Sequence, residues 1–332
     1  MSKPNATRRA TWLAAWAAAV ALLAGGCKDP AGGGKDGVPA APDEAGRQKV
    51  RESAVAGLFY PRHEEELTRT VDELLAAASP PAVPNLRALI APHAGYTYSG
   101  PTAAMAYKLL AGRDVGTVVV LAPSHYAAFH GASIPDVAAY RTPLGLVPLS
   151  PKASRLARRE PFALDARAEV TRPSWWRQAP KELPAFGQDT PHTWEHSLEV
   201  QLPFLQRALK SFELVPVVFG KVEPRQVAEA LAGELDDRTV VVASSDLSHY
   251  WPYDVARRLD GRCVEAICAL DVEQVEGQEA CGKGPILTVL HLARAKGWKA
   301  LLLDCRNSGD TAGEKSGVVG YAAIALYAPG AA

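Results

Sequence analysis

Three histidines each stand a few residues past an apolar run. Residues 86–91 lead into Pro92-His93-Ala94-Gly95-Tyr96, residues 117–122 into Pro123-Ser124-His125, and residues 239–243 into Ser244-Ser245-Asp246-Leu247-Ser248-His249. Imidazole serves both as a common ligand for zinc, copper and iron and as a general acid or base near neutral pH, and a nearby carboxylate can join it on a metal or fix its tautomer from behind. Asp246 and His249 are three apart, so both can face one side of a turn. His196 and Glu199, in Thr193-Trp194-Glu195-His196-Ser197-Leu198-Glu199, have the same spacing and can point into a cleft from the first turns of a helix. Glu195 or Glu199 can instead complement the positive end of that helix. Cys281 precedes a helix opened by Pro285 and running toward Ala295. A thiol at a helix N-terminus has its thiolate favoured, which suits metal ligation or redox chemistry; the other reading is a buried structural thiol. His63, His130 and His291 have no partner along the chain and read as surface or core residues, and His192 reads as a loop residue.

For these groups to act together, the chain must bring them to one place. Residues 86–91, 117–122, 214–219 and 239–243 read as buried strands, and residues 64–78, 195–210, 224–235 and 252–270 as helices, with further strands at 300–303 and 318–327. Apolar strands alternating with helices predict a single α/β domain with a mainly parallel central sheet flanked by helices. In such sheets ligands bind at the carboxyl ends of the strands. His93, His125 and His249 are therefore expected to converge on one cleft.

The composition limits what that cleft can serve. Hydrophobic residues make up 48% of the chain and charged residues 22%, enough for a sizeable core and no sign of global disorder. Lys+Arg and Asp+Glu balance at 36 each, so no excess positive charge calls for nucleic acid as a partner. Residues 1–27 read as an export signal: Lys3, Arg8 and Arg9, an apolar stretch from Ala10 to Ala24, then small residues before Cys27. The segment resembles a bacterial lipoprotein signal. The resemblance implies lipidation of Cys27, export, and anchoring to the cell envelope, with Lys28 favouring the outer membrane where one exists. Residues 28–45, with Gly32-Gly33-Gly34, read as a flexible tether, and the folded domain is expected over residues 46–330.

Several blocks resemble the Memo-like family, known in prokaryotes as protein B of the AmmeMemoRadiSam system and related in animals to the mediator of ErbB2-driven cell motility. They are residues 51–61, 91–100, 123–125, 140–145, 195–203 and 244–249, Cys281-Gly282 with Pro285, and Asn307-Ser308-Gly309-Asp310. The resemblance implies a fold similar to the class III extradiol dioxygenases, which hold non-haem iron on two histidines and a glutamate beside an acid/base histidine. On that basis His93 and His125 are metal ligands, Cys281 takes the third position, and His249 with Asp246 forms the acid/base pair. A thiolate in place of a carboxylate favours iron or copper redox chemistry and argues against ring cleavage.

The first expectation is therefore a metal-dependent redox enzyme in which His196 lines the pocket and steadies an anionic intermediate. A second is a non-catalytic metal- or peptide-binding lipoprotein. A third is zinc-dependent hydrolysis. Cys305, just before the Asn307 block, adds the expectation that it pairs with Cys281 in an oxidising compartment and blocks the site.

Overall fold

Runs such as Thr117-Val118-Val119-Val120-Leu121 are apolar on both faces, so they need cover on both faces. The computed structural model, which describes residues 49–178 and 188–330, supplies it with a sheet between two helical layers. The expected signal, Cys27 and tether lie outside the described residues. The strands of the main sheet are β1 (Leu86–Ala91), β2 (Thr117–Pro123), β3 (Ala132–Ile134), β4 (Phe162–Leu164), β5 (Glu213–Phe219), β6 (Thr239–Ser244), β7 (His249–Trp251), β8 (Lys299–Asn307) and β9 (Val318–Tyr327). Their order is β7-β9-β1-β6-β2-β5-β3-β4, with β8 paired to β9.

The centre is parallel: β1 pairs with β6, β6 with β2, and β2 with β5. The flanks differ from the expected mainly parallel sheet. β9 runs antiparallel to β1, β7 and β8, and β3 runs antiparallel to β5. The sheet is mixed because β8 returns as β9 through a short helical turn at Ser308–Thr311, which is too brief a connection for a parallel crossover.

The principal helices are α1 (Glu64–Ala77), α2 (Tyr96–Tyr107), α3 (His196–Glu199), α4 (Leu202–Ala208), α5 (Pro224–Ala232), α6 (Tyr253–Cys268) and α7 (Lys283–Lys296). Leu89, Val118, Val120 and Val242 pack with α1, α2 and α4 on one face of the sheet. Ile90, Val119, Leu121 and Val241 pack with α5, α6 and α7 on the other. The helix expected over 195–210 is broken in two. Pro203 has no N–H to give to the carbonyl four residues back, so the chain kinks at Val200-Gln201 and restarts as α4. α2, hidden in sequence by Gly100 and Pro101, carries no amphipathic stripe because it is buried on most sides.

A three-stranded sheet of Val50–Arg51, Ala139–Thr142 and Gly145–Pro148 holds the first described residues. Arg51, almost wholly buried, pairs with the buried Glu199 and donates to the carbonyls of His192 (3.0 Å) and Glu195 (2.8 Å). Glu199 also accepts from Ala54 N (2.8 Å), Val55 N (3.0 Å) and the Tyr60 hydroxyl (2.5 Å). Every acceptor direction of this buried charge is filled, as burial of a carboxylate requires. Glu199 thus faces away from the cleft that its spacing to His196 suggested.

Asp260 of α6 is another buried carboxyl. It accepts from Ser248 N (2.9 Å) and lies against Gly320, where a Cβ would fall 2.0 Å from Asp260 Oδ2. Burial raises its pKa from 3.8 to about 6, against the pull of the Ser248 bonds. Its folded-state value exceeds its unfolded one, so the stability it contributes is complete below pH 3.8 and is lost as the pH rises through about 6. That loss is about 3 kcal/mol. Asp260→Asn keeps an acceptor for Ser248 and never ionises. About 2 kcal/mol of that loss falls between pH 4.5 and pH 7.5, so the difference in melting temperature between variant and wild type should move by about 4 °C in the variant's favour over that range. A difference that does not change with pH would remove this role from Asp260.

Candidate metal centre

β1, β6 and β2 are neighbours in register, with Ala91 opposite Ser244 and Leu121 opposite Ala243, so their carboxyl ends open side by side. His93 follows the first and is buried to 2% exposure. Its Nδ1 lies 2.8 Å from Ser244 Oγ, and its backbone N–H donates to Asp246 Oδ1 at 2.8 Å. The proton on this ring can be placed by counting. Ser244 has one hydroxyl proton, which it gives to Ser197 O (2.6 Å), and it already accepts from Gln201 Nε2 (2.8 Å). The bond to His93 must then run from Nδ1–H to Ser244, which leaves Nε2 with its lone pair.

His125 is oriented in the same way through a carboxylate. Glu195 Oε1 accepts from His125 Nδ1 (2.9 Å) while Oε2 accepts from the His125 backbone N–H (2.7 Å). Glu195 Oε1 also caps the short helix α3 by accepting from Ser197 N (2.9 Å). An acceptor-only partner keeps the proton on Nδ1 and turns Nε2 of His125 toward the centre. His196, the first residue of α3, brings a third imidazole. Ligand nitrogens of His93, His125 and His196 all lie within 4.8 Å of one another. The ring centroids of His93 and His125 stand 5.2 Å apart, those of His93 and His196 5.5 Å, and those of His125 and His196 4.5 Å.

Cys281 enters from the loop before α7. Its Sγ is 3.1 Å from His93 Nε2 and accepts from Asp246 N at 3.2 Å. Gly282 makes this approach possible: a Cβ there would fall 2.2 Å from Ser244 O and 2.6 Å from Ser245 Cβ. Without a side chain the loop lies flat on the end of β6 and delivers the thiol to the imidazoles.

The charges follow from burial and neighbours. Burial resists charging His125, but the Glu195 carboxylate, aided by Cys281, outweighs it and holds the imidazole well above its ordinary value. Burial likewise opposes ionising Glu195, and His125 overcomes it, holding the carboxyl far below the usual range. Burial and then the adjacent His125 charge press His196 well below its ordinary value. Burial pushes the Cys281 thiol up, while His93 and His125 bring it down to about 7. The cluster thus carries its positive charge on His125 and offers a readily ionised thiol beside it.

The donor set suits a transition metal. Two imidazoles keep their Nδ1 protons and turn Nε2 toward the centre, and a thiol shares its proton with one of them. Buried His196 Nδ1 has no hydrogen-bond partner, with Glu195 Oε1 too far at 3.6 Å. A buried nitrogen without a partner beside three other soft or borderline donors is what a cation would satisfy.

The remaining expected residues fall as follows. Asp246 holds the His93 backbone, and its carboxyl is raised by burial against the opposing charge of His249. His249 opens β7, with Nδ1 2.8 Å from Leu247 O, so its own loop orients it and Asp246 acts on it as charge. His192 is a core residue between Tyr140 OH (2.7 Å) and Ser133 O (3.0 Å), and burial lowers its pKa to about 3. The expected pairing of Cys281 with Cys305 is not formed. Both thiols are free, Cys281 packed on His93 and Cys305 exposed on the edge strand β8. Ser244, Gln201 and Glu195 are the supporting residues that sequence reading missed. Only Glu195 carried a signal, its place directly before His196. Two surface hollows, of about 790 Å³ near Pro80 and Arg113 and of about 740 Å³ along Gly57–His63, are lined by none of the cluster's imidazoles or its thiol.

An α/β domain whose strand ends gather three imidazoles and a thiol has a group of side chains that could hold a metal ion. The family model described as Memo-like protein matches residues 51–325. A MEMO1 family protein of Methanopyrus kandleri is 37% identical over 297 residues, covering 82% of this chain and 98% of the relative. One from Methanothermobacter thermautotrophicus is 33% identical over 294 residues, with 82% and 99% covered, and one from Aquifex aeolicus 35% over 286 residues, with 82% and 97% covered. The chain belongs to the Memo-like family.

If Glu195 and Ser244 fix the ligand tautomers, Glu195→Gln and Ser244→Ala should each weaken metal binding by about 10- to 100-fold. Wild-type affinity should fall as the pH drops through neutrality, because a cation displaces protons from His125 and Cys281. Zinc titration calorimetry in buffers of different ionisation enthalpy should then show fewer protons released at pH 7 by Glu195→Gln. Unchanged affinity in both variants would end the positioning role.

Proposed function

We propose that this Memo-family protein is a metal-dependent redox enzyme that holds iron or copper on His93, His125 and Cys281. The observation that carries the reading is the meeting of Cys281 Sγ with Nε2 of His93 at 3.1 Å, His93 being one of three imidazoles whose ligand nitrogens lie within 4.8 Å of one another. A likeness to the class III extradiol dioxygenases accords with a His-lined site at the carboxyl ends of parallel strands, and the thiol sets this site apart from theirs. Bound there, the metal supplies one-electron chemistry and activation of an oxygen-containing ligand.

The protein's own groups prepare that chemistry. Ser244 and Glu195 keep the Nδ1 protons of His93 and His125, so both rings present Nε2. Asp246 holds the turn that carries His93. His249 gives its Nδ1 proton to the Leu247 carbonyl, which leaves Nε2 to take up or release a proton. His196, buried and kept neutral, lines the pocket and steadies an anionic intermediate.

The N-terminal sequence supports export and anchoring through a lipid on Cys27, with the family match beginning after it at residue 51. Among the described residues no helix is long and apolar enough to cross a membrane, so attachment would rest on the segment before residue 49. In this reading Cys27→Ser moves the protein from the membrane to the soluble fraction of cells expressing it. An unchanged membrane fraction would exclude the lipid anchor.

The enzymatic reading is tested on metal-loaded protein. His249→Ala should keep its metal by elemental analysis and lose dioxygen uptake by about 100-fold or more. Uptake equal to wild type would take the acid/base role from His249. Tight metal binding without turnover, together with a peptide partner cross-linked in the envelope, would favour the non-catalytic alternative.

A further inference from the structure

We propose that Tyr250 is a positioning residue for His249: its left-handed backbone makes the turn that fixes where the imidazole points. Its effect on turnover rests on the acid/base reading of His249. Four non-glycine residues among those described have left-handed backbone, Asn85 (φ 47°), Asp165 (φ 43°), Tyr250 (φ 61°) and Leu270 (φ 56°). Asn and Asp are the types that enter this region at least cost. Leu270 stands just past the end of α6, where a left-handed residue commonly ends a helix. Neither reason applies to Tyr250. Its Cβ crowds the carbonyl that follows, a cost that persists only where the surroundings impose it, and residues held in this way gather at functional sites.

The pairing of β7 with β9 imposes it. His249 stands opposite Val319 and Trp251 opposite Val318, so two steps along β7 match one along β9 and Tyr250 is the extra residue. A bulge of this kind bends its strand and re-aims the side chain beside it. That side chain is His249. On the other side of His249, Leu247 N donates to Gly320 O (2.8 Å) and Gly320 N donates to Ser248 O (2.9 Å). The Leu247 carbonyl that accepts from His249 Nδ1 at 2.8 Å is therefore pinned to β9, and the imidazole is set between it and the bulge.

β9 is itself anchored where the bulge meets it. Val319 N donates to Ser308 Oγ at 3.1 Å, a group outside the sheet. Ser308 belongs to the Asn307-Ser308-Gly309-Asp310 turn, in which Gly309 N donates to Asn307 Oδ1 (2.9 Å) and Asn307 N donates to Asp310 Oδ2 (2.8 Å). Asp310 also accepts from the hydroxyl of Tyr253, the first residue of α6. The turn thus fixes the strand against which Tyr250 is bulged out, and through it the direction of His249.

Histidine nitrogen NMR of zinc-loaded full-length protein reads the position directly. In alkaline buffer a neutral His249 whose Nδ1–H is held by Leu247 O shows one tautomer, its signals assigned by their loss in His249→Gln. Tyr250→Val, whose branched side chain resists left-handed backbone, should show a mixture of tautomers and, loaded with iron, lose dioxygen uptake by about 10- to 100-fold. Tyr250→Asn and Tyr250→Gly enter that region readily and should keep the single tautomer, and Tyr250→Asn should recover most of the uptake. Ser308→Ala should also show a mixture, with Ser308→Thr restoring the single tautomer, and this pair decides the matter where Tyr250→Val does not fold. A single tautomer in folded Tyr250→Val or in Ser308→Ala would overturn the proposal. So would a mixture in both Tyr250→Asn and Tyr250→Gly, which would assign the effect to the tyrosine ring and not to its backbone. If the tautomers follow the expected pattern while His249→Ala takes up dioxygen as fast as wild type, or no form takes it up, the acid/base reading falls and the positioning stands.

Discussion

Strands that run the same way and pair in register release their chains at one edge, and in this protein that edge makes the site. β1, β6 and β2 lie side by side, so the loops carrying His93, His249 and His125 leave together although their residues are far apart in the chain. The last residue of β6 turns this proximity into geometry. Ser244 sits opposite Ala91, and its single hydroxyl joins His93, Gln201 and the Ser197 carbonyl. One side chain thus links three segments. Its hydrogen-bond capacity is full, which is why the His93 proton has one place to go.

The same edge explains what was readable in the sequence and what was not. Each of His93, His125 and His249 follows an apolar run, so strand placement alone brought them to one rim, and Cys281 was legible from its place before a Pro-opened helix. The supporting residues were not, because their roles depend on how loops fold back. Glu195 could equally have been a helix cap, and it is one, but the same oxygen also holds His125. Glu199 looked like its equal at helical spacing. It turns instead to Arg51, about 150 positions away in sequence, a contact that no local pattern encodes. Strand direction was the other hidden quantity. β9 is apolar along its whole length, as a buried parallel strand would be, yet it runs antiparallel between β1 and β8.

Charge ties the cleft to that distant pair. Arg51 donates to the carbonyls of both His192 and Glu195 while neutralising Glu199 four residues further on. The segment that delivers Glu195 and His196 is thereby clamped at both ends by one guanidinium. Glu195 can then stay ionised in a buried position because His125 faces it and because its own backbone does not move. In the metal-free protein the result is one charged imidazole beside a neutral one, which limits repulsion among three rings packed within 4.8 Å.

A cation arriving at this cluster would meet donors whose protons are already close to leaving. The Cys281 thiol, brought down to about 7 by the imidazoles, ionises near neutral pH. His125 must give up its proton from Nε2, but Glu195 keeps the one on Nδ1, so the ring stays oriented while its charge changes. His196 needs no deprotonation at all. Iron and copper both accept such a mixed nitrogen and sulfur set, whereas magnesium or calcium would call for oxygen donors. Of the carboxylates nearest the cluster, Glu195 is engaged with the backbone and side chain of His125 and Asp246 with the backbone of His93, which leaves nitrogen and sulfur facing the centre. Selectivity for a metal at this site would therefore reside less in the histidines themselves than in where the carboxylates have been directed.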